Sequence, residues 1–166
     1  MNARATAHGQ AARATLTWLH GREIQRITLG QPVDHGAKHE PQGREAIETE
    51  IRMVIACVVG EMLHLGADGR HLAGDRDDVK RAIALAGRLG DDDPVDYLET
   101  IFDDLVACLR SPKIRHAVAK LAGALVRAPG GELEADDVLR TIVLAMGETP
   151  EHGADQPTHP RTISIR

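Results

Sequence analysis

A chain of 166 residues with 42% hydrophobic, 27% charged and 2% aromatic residues has the composition of one globular domain in water. Its net charge of −5 divides into +3 over residues 1–44, −9 over 45–104 and +1 over 105–166, leaving no basic stripe. With one Trp, one Tyr and one Phe as stacking platforms, nucleic acid is not an expected partner. No apolar run reaches the ~18 residues of a membrane span and residues 1–10 lack a secretory apolar stretch, so the expected location is cytoplasmic.

Two cysteines, Cys57 and Cys108, make neither a disulfide framework nor a four-cysteine zinc site and are expected as buried thiols. The 23 alanines and the abundant leucine favour closely packed helices over an all-β sandwich.

In chain order, Gln10 to His20 is a predicted short helix closed by Gly21, with Ala11, Ala14 and Trp18 along one face. Arg22 to Leu29 alternates partially and is a predicted strand, stopped by Gly30-Gln31-Pro32. Val33 to Gly43 has no periodicity and is a predicted loop. Arg44 to Leu65 carries Ile47, Ile51, Val54, Val58, Met62 and Leu65 at helical spacing before Gly66, which predicts the central core helix.

After a loop over Ala67 to Gly74, Asp75 caps a predicted helix to Leu89 with Val79, Ile83 and Ala86 inward. Asp93-Pro94 and Ser111-Pro112 are start signals for helices to Leu109 and Arg127. Pro129-Gly130-Gly131 is a turn, and Glu134 to Met146 a last helix with Val138 and Ile142 inward. Residues 1–146 thus form one expected domain, and 147–166, with three Pro and few apolar residues, an expected disordered tail.

Several stretches carry a resemblance. Ala11 to Leu29, with Trp18-Leu19-His20-Gly21-Arg22 leading into Arg26-Ile27-Thr28-Leu29, resembles a metal-binding helix, its Gly-Arg turn and the following strand in the peptidase domain of FtsH-type ATP-dependent zinc proteases. Val59-Gly60-Glu61-Met62-Leu63-His64-Leu65-Gly66 resembles the end of that family's long helix. Gly74-Asp75-Arg76-Asp77-Asp78-Val79-Lys80-Arg81-Ala82 resembles the stretch supplying its third zinc ligand, and Gly131 to Val138 its closing turn and last helix. The resemblance covers about residues 5–146. It implies a mainly α, FtsH-type peptidase-like helical bundle with one short strand or small β element near the N-terminus.

The family's His-Glu-x-x-His places two zinc-binding imidazoles on one helix face and a Glu that takes a proton from metal-bound water. Counted back from Gly21, the equivalent stretch is Gly9-Gln10-Ala11-Ala12-Arg13. Glycine has no ligand atom, a neutral Gln amide accepts no proton, and a guanidinium repels a metal. Beginning one residue earlier, at His8, leaves Gly9 and Ala12 in the other roles and restores nothing.

The resemblance leaves Asp78 as the residual ligand position, which an acidic first helical turn explains equally well. Gln10, Arg13 and Asp78 are therefore candidates for a degenerate cleft, with an Arg13–Asp78 ion pair the expected substitute for zinc. No zinc or other cofactor is expected in this reading. The implied role is non-catalytic: holding a protein or peptide, or regulating an active homologue.

The alternative is a zinc peptidase with ligands rearranged among His8, His20, His64, His71 and Asp78, working alone or with a separate ATPase. His35 and His39 lie in a Pro/Gly loop where their spacing has no helical meaning. Glu61-x-x-His64 has a di-iron spacing without the second copy such a site needs, and Asp75 to Asp78 lacks the Gly and Glu of a calcium loop. The chain contains no P-loop, so the ATPase module that helps to hold family members in hexameric rings has no counterpart within it. A homo-oligomer stays open.

Overall fold

In the computed structural model, which describes residues 2–31, 40–66, 77–90 and 93–147, the chain is mainly α. Six α-helices surround one small sheet: α1 Ala3–Leu19, α2 Arg44–Leu65, α3 Asp77–Gly87, α4 Pro94–Arg110, α5 Pro112–Arg127 and α6 Ala135–Met146, with strands β1 Arg26–Thr28 and β2 Glu132–Glu134. The expected loops, the Asp75 cap, His35, His39, His71 and the C-terminal segment lie wholly or largely outside the described residues.

The predicted helix at Gln10 is longer than expected, starting at Ala3. Asn2 caps it, its side-chain oxygen accepting from the amides of Arg4 and Ala5 at 3.1 and 3.4 Å. Periodicity missed the first two turns because α1 has no single apolar stripe. Ala5, Ala7, Ala11, Ala12, Ala14 and Leu16 are all buried, together with Thr15 and Thr17, so the helix is covered on most sides. The two hydroxyls donate back to the carbonyls of Ala11 and Arg13, each at 2.8 Å, which satisfies them without another element.

α2 keeps its predicted bounds and ends on Gly66 in the left-handed conformation, where a side chain would be strained. It runs antiparallel to α1: Gly60 lies against Gly9 at one end of the seam, and the Met53 sulfur packs 3.3 Å from the Thr17 hydroxyl oxygen nearer the other. The backbones approach so closely that a Cβ built on Gly60 would stand 2.6 Å from the Ala12 Cβ and 2.7 Å from the His8 carbonyl oxygen. Small residues thus set the interhelical distance.

The predicted strand over Arg22 to Leu29 contracts to three residues. Its partner β2 is bounded by the Gly130–Gly131 turn and by the start of α6, giving only the antiparallel pairs Arg26 with Glu134, Ile27 with Leu133 and Thr28 with Glu132. Ile27 points into the core, where Ile51, Ile55, Leu98, Leu121, Leu125 and Ile142 are also fully buried. α4 opens as its sequence predicts, with Pro94 at the first position and Asp93 accepting from the amides of Val95 and Asp96. Ser111 both ends α4 and precedes α5.

Candidate functional site

Each position of the stretch aligned with the zinc motif is engaged by packing or hydrogen bonds. Gly9 is buried against α2, and a Cβ placed there would stand 2.6 Å from the carbonyl oxygen of Cys57 and 2.7 Å from the Glu61 Cγ. Backbone cannot yield as a flexible side chain does, so an imidazole at this position requires the two helices to separate. Gln10 is 4% exposed and ties α1 to the β1 turn: its amide donates to the carbonyls of Thr28, at 2.7 Å, and Gln31, while its oxygen accepts from the amide of Gly30 at 3.2 Å.

The ion pair of Arg13 corrects the expected pairing with Asp78. Arg13, 6% exposed, reaches Glu50 of α2 at 3.8 Å. Glu50 is itself 3% exposed and also receives Arg22, at 3.4 Å, and Arg81 of α3, at 2.9 Å. One buried carboxylate therefore joins α1, the segment after it, α2 and α3. The Nε of Arg13 has no hydrogen-bond partner, so the charge is compensated while one donor is not. Asp78 is half-buried one turn before Arg81.

Reasoning from motifs overlooked Glu50, although the sequence contained a signal. It lies three residues after Ile47 and four before Val54, on the stripe that faces the core, where an acid requires a compensating charge. Cys57 and Cys108 are half-buried rather than buried. Burial still pushes the Cys108 thiol above its ordinary pKa, with Asp104 adding to the rise and Arg52 opposing it.

The alternative ligands divide. His8 and His20 stand twelve residues apart on and just after α1, roughly 18 Å along a helix axis, too far to share one ion. His20 has its pKa lowered by burial, then by the charges of Arg52 and Arg22. His8 and His64 do meet: their rings stack with centroids 3.9 Å apart and planes at 22°. Stacked faces direct ring nitrogens along the rings rather than toward a common ion, and among the described residues no group of three His, Cys, Asp or Glu could hold a metal. The donor set at Gly9, Gln10 and Arg13 likewise does not fit zinc.

Around the stacked pair opens a cavity of about 410 Å³ between the start of α1, the end of α2 and the α4–α5 corner. Its walls include His8, His64, Arg110 and Arg115 over an apolar floor with Leu109 and Val118. No helix among the described residues is long and apolar enough to cross a membrane. The chain matches no model of a known protein family, and a comparison with curated proteins finds no match.

Proposed function

We propose that this chain is a non-catalytic relative of the FtsH-type peptidase domain whose role is to hold a protein or peptide partner without cutting it. Support comes from the order and spacing of the resembling stretches on a mainly helical chain. The single observation that carries the non-catalytic part is Gly9. At the position of the first imidazole, the backbone of α2 occupies the space an imidazole needs.

The neighbouring positions agree with that reading. A Gln whose amide is spent on three backbone groups of the β1 turn is not available to activate water, and an Arg held on a buried carboxylate is not a metal ligand. Casein offered to tag-free protein with added zinc is expected to be retained and left intact. Chelator-sensitive cleavage would overturn the non-catalytic assignment, and failure to retain casein or a mixed peptide pool would remove the peptide-holding role.

A further inference from the structure

The cavity around His8 and His64 is formed by four helices, yet among the described residues none that lines it is acidic. This is unusual placement in a chain of net charge −5. Two guanidiniums, Arg110 at the last turn of α4 and Arg115 in the first turn of α5, stand on one side, and two imidazoles on the other. The His8 Nδ1 donates to the Arg4 carbonyl at 2.8 Å, so its Nε2 can donate to an anion only as the imidazolium. Leu109, Val118 and Leu63 supply apolar wall, and the volume suits a small organic molecule.

We propose that this cavity is a binding site for a carboxylate on a short aliphatic body, with Arg110 and Arg115 receiving the carboxylate beside the stacked histidines and the apolar floor receiving the chain. Arginine presents paired donors that match a carboxylate, and a cavity with charge on one wall and aliphatic side chains beneath it selects against both a bare ion and a neutral chain. The site lies on the opposite end of the α1–α2 seam from Glu50 and does not depend on the FtsH-type reading.

The stacked pair also supplies a reporter. The pKa of His64 is lowered by desolvation, then by the charges of His8 and Arg4. The charged groups around it are His8 and Arg4 on α1, Glu61 one turn earlier on α2, Arg110 on α4 and Arg115 on α5. A carboxylate seated here counters the repulsive part of that lowering and so favours the protonated His64 imidazole.

The test titrates hexanoate, N-acetyl-leucyl-leucine, inorganic phosphate and hexylamine into the full chain while the imidazole resonances of His8 and His64 are followed by NMR. Saturable shifts with hexanoate or the dipeptide, accompanied by a rise in the His64 pKa, are expected. The tighter of these two ligands distinguishes a free acid from a peptide terminus as the source. The Arg110→Ala, Arg115→Ala double variant should bind about tenfold or more weakly, as loss of charge-assisted hydrogen bonds requires, with its fold checked by circular dichroism.

Should that variant not fold, the wild-type ligand series decides. Equal binding of hexylamine, binding of phosphate as tight as that of either carboxylate, or no saturable shift with either carboxylate overturns the proposal.

Discussion

The two ends of the α1–α2 seam solve opposite problems with the same residue type. At one end Arg13, Arg22 and Arg81 converge on Glu50, which is buried together with Arg13 while Arg22 is half-buried and Arg81 exposed. At the other, Arg110 and Arg115 line a cavity with no acid among its described lining residues. At this same end, Gly9 and Gly60 bring the helices together so tightly that neither position admits a side chain without a shift. The comparison teaches that arginine does not by itself mark a site. What distinguishes the ends, among the described residues, is whether an acid stands against the arginines.

The sharpest way to break this comparison is to remove the built-in acid. Glu50→Gln leaves Arg13 buried with no opposing charge and should cost about 3 kcal/mol or more, a fall in Tm on the order of 10 °C in thermal unfolding. A change below about 1 kcal/mol would show that the more accessible Arg22 and Arg81, not the buried Arg13, carry the cluster.

Next in size is the seam. Gly60→Ala should destabilise by about 1–2 kcal/mol in urea unfolding, because the close contacts with Ala12 and the His8 carbonyl outweigh the helical preference of alanine. Gly87→Ala, in α3 where an added Cβ meets nothing within 4 Å, is the control and should be neutral or stabilising by up to about 1 kcal/mol. The same crowding bears on rebuilding the zinc motif: Gly9→His with Gln10→Glu and Arg13→His should fail to take up zinc, as the first of these has no room.

A smaller effect follows pH. The His20 pKa is lowered in the folded chain relative to its ordinary value near 6.5, so the unfolded chain binds more protons as pH falls below that value. Stability is therefore full above pH ~6.5 and declines as pH drops through the folded pKa. His20→Gln should flatten that decline in urea titrations at pH 7.5 and 5.0. The smallest expected effect is at the open end, where Arg110→Ala, an exposed position, should change stability by no more than about 0.5 kcal/mol.

These contrasts also show which parts of the molecule were legible in the sequence. α2, α4 and α5 announce themselves through apolar spacing, Pro at the first helical position and, for α2, a terminal glycine, and their bounds differ from expectation by at most one residue. The early turns of α1 did not, since a helix buried on most sides has no stripe to detect. β2 was hidden in three residues between a Gly-Gly turn and a helix, and acquires its meaning only from pairing with β1, more than a hundred residues earlier. The expected strand was overdrawn for the same reason, because alternation reports exposure and not whether a partner exists.

The site was legible in part. That Gly9, Gln10 and Arg13 lack zinc chemistry is evident from their residue types alone. Their present employment is not: the Gln10 bonds to the β1 turn and the Arg13 pairing with Glu50 are contacts across 18 and 37 residues of chain, which no local pattern encodes. His8 and His64 were named together in the alternative ligand set, but only the antiparallel seam puts one ring on the other.

The most direct test of the account is zinc content. Tag-free protein, purified with zinc in the medium and dialysed, should carry far less than one zinc per chain by elemental analysis and should show no stoichiometric heat on zinc titration. About one tightly held zinc per chain, lost on Asp78→Ala, would contradict the account.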